Sequence, residues 1–201
     1  GGFDPAVHYG VGSAPQSITT GDFNNDGDQD LVTSNYGSHD ASVLLGDGDG
    51  LFASAGNFPA ASGTFSVAVG DFNGDGHLDL VTSNLGSNDL SVLLGQGDGT
   101  FSSGSSVTVG QTPRGVVVSD FNDDGTLDLA VANNGSDDVS VLFGNGDGTF
   151  TFQTNMAAGN GVKDIVAADF NGDGRMDLAT VNFGDGTTSL FLGRGDGTFE
   201  L

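Results

Sequence analysis

Four short stretches of this 201-residue chain hold most of its candidate chemistry: DFNNDGDQDL from Asp22, DFNGDGHLDL from Asp71, DFNDDGTLDL from Asp120 and DFNGDGRMDL from Asp169. A hard cation such as calcium takes about six to eight oxygens at about 2.3–2.6 Å from a flexible loop, so the stretches predict about four Ca2+ sites, one in each. The side-chain donors are Asp22, Asn24, Asp26 and Asp30 in the first and Asp71, Asn73, Asp75 and Asp79 in the second. In the third they are Asp120, Asn122, Asp124 and Asp128, and in the fourth Asp169, Asn171, Asp173 and Asp177. The seventh place holds Asp28, His77, Thr126 and Arg175, which share no chemistry, as expected where only a backbone carbonyl is donated. Gly27, Gly76, Gly125 and Gly174 permit the sharp turn at the sixth place. The twelfth place is Thr33, Thr82, Val131 or Thr180 in a strand-like run, not the carboxylate before a helix of an EF-hand. The tandem nine-residue spacing of RTX repeats is also absent.

Something must hold four such loops in equivalent settings. Their first residues, Asp22, Asp71, Asp120 and Asp169, are spaced by 49 each time, so the chain reads as one repeat domain over 1–201, with units near 1–49, 50–98, 99–147 and 148–196. Each unit contains four short β-branched or apolar runs punctuated by Gly, Asn, Ser and Asp; in the second unit these are SVAVGDF, DLVTSN, LSVLLG and a less regular run ending near Gly110. No window keeps helical spacing over three turns. In VLLG, VLFG and LFLG adjacent residues are apolar, which requires both sheet faces to be buried. Four strands per repeat of this length, with both faces covered, predict an all-β chain: a β-propeller of four four-stranded blades. Phe3 is in phase with Phe52, Phe101, Phe150 and Phe199, so residues 3–11 are expected to act as an outer strand completing a terminal blade beside SLFLG from Ser189.

The chain has 27 acidic residues against 4 basic ones, a formal net charge of -23. That charge repels phosphate backbones and anionic lipid, so neither nucleic acid nor a membrane is an expected partner. The acids sit at fixed places between apolar runs such as VAVG and VLLG, which argues against a disordered acidic chain. Four divalent ions would bring the charge to about -15, turning the repulsion into a reason for the loops to bind. Cysteine is absent, so no disulfide or thiol chemistry is available. No apolar stretch approaches the ~18 residues of a spanning helix, no signal peptide is evident, and Gly1-Gly2 reads as the edge of a processed or excised piece.

D-F-N-G-D-G-x-x-D-L followed by V-L-L-G-x-G-D-G-T-F resembles the FG-GAP/VCBS repeat over essentially the whole chain. That family includes the calcium-bearing blades of the integrin α-subunit head and many bacterial surface proteins and lectins. The resemblance implies a β-propeller with calcium in the loop between the first and second strands of each blade, though such propellers usually have seven blades. It also implies an exported, extracellular or cell-surface protein, because modules of this kind bind calcium at ~0.1–1 mM.

The functional expectation is a non-catalytic binding or adhesion module for glycans or surface proteins. The alternative is a self-assembling scaffold or filament subunit, with homo-oligomers as partners. No enzyme is expected, because His8, His39 and His77 occupy unrelated phases and the repeat itself accounts for the carboxylates. One phase does vary sharply between copies: Gln16, Phe65, Arg114 and Lys163, just before the first strand of each unit, form the candidate ligand face.

Overall fold

The structure, a computed structural model, describes residues 5–200. Blade 1 comprises β1 (Pro15–Gly21), β2 (Asp30–Asn35), β3 (Asp40–Gly46) and β4 (Phe52–Pro59). Blade 2 is β5 (Thr64–Gly70), β6 (Asp79–Asn84), β7 (Asp89–Gly95) and β8 (Phe101–Thr108). β9 (Pro113–Ser119), β10 (Asp128–Asn133), β11 (Asp138–Gly144) and β12 (Phe150–Ala157) form blade 3, and β13 (Val162–Ala168), β14 (Asp177–Asn182), β15 (Thr187–Gly193) and β16 (Phe199–Glu200) form blade 4. Every blade is an antiparallel meander in sequence order, and the described residues contain no helix. The chain is an all-β propeller of four blades.

The first strand of each blade lines the axis, where β1 packs on β5, β5 on β9 and β9 on β13. Three apolar clusters fill the three junctions: Val32 and Val43 meet Val67 and Leu80, Val81 and Val92 meet Val116 and Leu129, and Ala130 and Val139 meet Ile165 and Leu178. This explains the unbroken apolar runs. β6 and β10 lie between two neighbouring blades and are buried at every residue. Each junction also carries the same aromatic staple. Phe23, Phe72 and Phe121 meet Phe101, Phe150 and Phe199 edge-on at 5.7, 5.4 and 5.8 Å. Their carbonyls accept the N–H groups of Gly99, Gly148 and Gly197 from the next blade.

The strand expected over residues 3–11 begins outside the described residues. Its described part, residues 5–11, forms no ladder, and β15 pairs instead with β16. The local hairpin closes a much shorter loop than pairing around the axis would. Tyr9 packs edge-on against Phe52 at 5.5 Å, the relation that Phe58 has to Phe101.

Candidate functional site

The four acidic stretches form equivalent loops at one end of the axis, between the first and second strands of their blades. In blade 2 the Asp71 carboxylate accepts the N–H groups of Gly74 and Gly76 at 2.8 and 2.9 Å. Asn73 Oδ1 accepts from Asp75 N at 2.9 Å, and Asp75 Oδ1 accepts from His77 N at 2.9 Å. That last amide holds the Asp75 carboxyl below the usual carboxylate range. The side chain at the seventh place turns to other work: His77 Nδ1 lies 2.9 Å from Asn25 Nδ2 of the preceding blade's loop.

Asp79 differs from the other loop acids because it is completely buried. Its Oδ2 accepts from Phe72 N at 2.9 Å and its Oδ1 from Gly95 N at 2.8 Å, tying the loop to the end of β7. Burial pushes the Asp79 carboxyl up, the Gly95 and Phe72 amides pull it back, and the charges of Asp75 and Asp71 add to the rise. Asp128 repeats this balance against Gly144, Phe121, Asp124 and Asp120. Asp30 and Asp177 make the same two bonds, to Phe23 and Gly46 and to Phe170 and Gly193. A Cβ on Gly95 would stand 2.2 Å from the Leu78 carbonyl oxygen, so only glycine brings this amide to the carboxylate. This anchoring role was hidden in the sequence, where the ninth-place Asp reads only as a ligand.

The loop donors are all oxygens, and their carboxylates disfavour one another's charge, so in chemistry the set fits a hard divalent cation. In this geometry the same oxygens accept the loop's own N–H groups. No group of three or more acidic or histidine side chains converges on a metal-sized point among the described residues.

The opposite end of the axis lies one seven-residue strand away, about 20 Å. There Gln16, Phe65 and Lys163 line one cavity of about 320 Å³. Each is the residue skipped in the ladder to the second strand: the register shifts fall between Pro15 and Ser17, Thr64 and Ser66, and Val162 and Asp164. In blade 3 Arg114 and Gly115 together stand opposite a single residue of β10. A bulge frees a residue from pairing and re-aims its side chain, so this phase can vary without cost to the sheet. Ser34 and Ser83 donate their hydroxyls to the carbonyls of Phe65 and Arg114, fixing the bulge of the following blade. The Arg114 guanidinium lies 4.8 Å from the Phe65 ring centre, and its buried Nε has no hydrogen-bond partner.

The next phase, Ser17, Ser66, Gly115 and Asp164, lines the same cavity, and the sequence reading overlooked it. Two blades keep serine, whereas blade 4 substitutes a carboxylate. A Cβ on Gly115 would stand 2.5 Å from Asp164 Oδ1, so the glycine of blade 3 makes room for the acid of blade 4. Comparing the four copies one position further along the strand would have exposed this pair of departures.

The fold and its loops define a β-propeller with one acidic loop per blade, between the first and second strands. The FG-GAP-like repeat pattern matches residues 22–82, 82–131 and 120–180, and the chain belongs to that family. No curated protein matches it. Among solved structures it is similar to a Bacteroides uniformis protein named as a 6-phosphogluconolactonase, at 13% identity and TM-score 0.71, over 92% of this chain and 52% of that one. A Desulfotomaculum acetoxidans protein of unknown function matches at 17% identity and TM-score 0.73, over 98% of this chain and 57% of the other. The periplasmic gluconolactonase of Pseudomonas aeruginosa matches at 20% identity and TM-score 0.54, over 73% and 40%. The chain thus spans about half the length of the solved structures it matches.

These relatives correct the expectation of a non-catalytic binding, adhesion or scaffold module that is not an enzyme: propellers sharing its fold bear lactonase names. The expectation rested on three histidines at unrelated phases and on carboxylates that the repeat accounts for, and it did not weigh an acid that departs from the repeat, such as Asp164.

Proposed function

We propose that the chain forms blades of a lactone-hydrolysing propeller, with its site in the cavity at the bulged end of the axis and an acidic sugar lactone as substrate. The observation carrying this reading is the paired departure from the repeat at Gly115 and Asp164, beside Lys163, in a chain with only 4 basic residues. The lactonase names of similar propellers supply the reaction class.

In this reading Asp164 takes a proton from water as the water oxygen bonds to the lactone carbonyl carbon. Asp164 Oδ1 accepts from Ile165 N at 3.0 Å, which orients the carboxylate. The ring C–O bond then breaks, and the leaving ring oxygen takes the proton back from Asp164, giving the open hydroxy acid. Lys163, which lines the cavity, offsets the negative charge of the substrate and of the carbonyl oxygen. The loops at the far end would each hold one Ca2+ as a constituent of the fold, through the side-chain oxygens and carbonyls named above. Binding at ~0.1–1 mM suits a compartment outside the cytosol.

Hydrolysis of 6-phosphogluconolactone and gluconolactone, corrected for the spontaneous rate, tests the reading. The intact chain in calcium should accelerate both. Asp164→Asn should lower kcat by about 10²-fold or more, while Lys163→Ala should raise KM mainly for the phosphorylated lactone. No acceleration over the spontaneous rate by the intact chain, or full activity in Asp164→Asn, would overturn it.

A further inference from the structure

Asn73, Asn134, Asn145, Asn160 and Asn171 are each followed by glycine. An Asn-Gly pair can lose ammonia without any other reactant, because glycine has no side chain to keep its backbone nitrogen from the neighbouring amide carbon. The reaction needs that N–H free, and in four of these pairs it is held. Gly74 N and Gly172 N donate to the Asp71 and Asp169 carboxylates at 2.8 and 2.6 Å, and Gly161 N donates to Asp137 Oδ1 at 2.6 Å. Gly135 N donates to the Gln111 carbonyl at 2.8 Å. Gly146 N, in the exposed turn between β11 and β12, has no acceptor among the described residues.

The amide of Asn145 is prepared as well. Thr151 Oγ1 donates to Asn145 Oδ1 at 3.1 Å, and Asn145 Nδ2 donates to Thr149 Oγ1 at 2.8 Å. A donor on the amide oxygen offsets the negative charge that this oxygen gains when a nitrogen adds to Cγ. We propose that Asn145 is a site of spontaneous deamidation, assisted by the Thr151 hydroxyl. The Gly146 nitrogen bonds to Asn145 Cγ and gives up its proton, the Cγ–Nδ2 bond breaks, and ammonia leaves with that proton. Water then opens one of the two imide C–N bonds, leaving either aspartate in the normal chain or its β-linked isomer, with a negative charge added in both cases. Blade 1 already carries aspartate at this place, where Asp47 Oδ1 accepts Asp49 N and Leu51 N, both at 3.0 Å. The turn therefore accommodates the normally linked product. The isomer instead puts an extra carbon into the backbone of a turn that Asn145 N closes on the Thr149 carbonyl. This turn lies at the loop end of the axis, away from the cavity, and its chemistry does not depend on lactone hydrolysis.

Incubation of the intact chain in calcium at mildly alkaline pH, followed by peptide mapping that separates aspartate from its isomer, tests the assignment. Asn145 should convert at least about tenfold faster than each of the other four, the factor that releasing a hydrogen-bonded glycine N–H imposes on them. In urea that unfolds the chain the five rates should converge, because only the folded structure distinguishes the pairs. Thr151→Val removes the donor at an exposed position of β12, so the fold should persist and conversion at Asn145 alone should slow. An Asn145 rate no higher than the others in the folded chain, a lead that persists undiminished in urea, or a rate that Thr151→Val leaves unchanged would overturn the proposal.

Discussion

The two ends of the axis are built by opposite rules. At the loop end Asp30, Asp79, Asp128 and Asp177 recur without exception, each buried and each bonded to one Phe and one Gly amide. At the bulged end Gln16, Phe65, Arg114 and Lys163 differ in every blade although they occupy one structural position. The difference follows from pairing. A residue whose carboxylate joins two strands cannot change without stranding backbone donors, whereas a residue released by a bulge constrains nothing but the cavity it enters. Repetition marks what builds the ring, and departure from repetition marks what the ring presents.

Calcium removal should produce the largest effect, confined to the repeated end. If the loops hold calcium with half-occupancy near 0.1 mM and about 1 mM calcium is present, each site would contribute ~1.4 kcal/mol, and four would contribute roughly 5–6 kcal/mol. Excess chelator should then lower the Tm by about 10–20 °C for a domain of this size. A melting curve unmoved by chelator would remove calcium from the description of the loops.

A smaller effect separates anchor from ligand within one loop. In chelator, Asp79→Asn should still cost about 2–3 kcal/mol, because one of the Phe72 and Gly95 amides loses its acceptor. Asp75→Ala in chelator should cost under about 1 kcal/mol, since its bonds lie within an exposed turn. Urea denaturation of both variants measures the gap; equal costs would erase the distinction between the ninth place and the others.

The smallest effects should fall at the bulged end. Lys163→Ala and Gln16→Ala should change stability by no more than about 0.5 kcal/mol by the same denaturation. His77→Ala should likewise leave calcium binding nearly intact in a calorimetric titration, because the seventh place would donate only its carbonyl. A loss of stability at Lys163 would mean that the variable phase is structural after all, and the contrast between the ends would fail.

Much of this architecture was legible along the chain. The 49-residue spacing of Asp22, Asp71, Asp120 and Asp169, with adjacent apolar residues in VLLG and VLFG, implied four-stranded blades buried on both faces, and β6 and β10 are so buried. The variable phase stood out because its neighbours repeat. The bulge that explains the variation was not legible, since it depends on which residue of the second strand each partner meets. The pairing of Gly115 with Asp164 was equally hidden, because the two residues are 49 apart in sequence and meet only across a blade junction. Residues 5–11 carry a strand's phase without a strand's ladder, since phase is a property of the sequence while pairing depends on where the segment is placed; β15 meets β16 only at Leu192 and Gly193.

By itself, the sequence determined the blade: local runs, glycine turns and a loop whose acids recur at fixed places, all set by interactions within a few tens of residues. The tertiary structure alone decided which equivalent residues differ in circumstance. Phe72 and Phe170 occupy the same place in the same motif, yet one is buried at a junction and the other faces outward. Burial in a repeat is a property of the neighbour, and a neighbour exists only once blades are stacked.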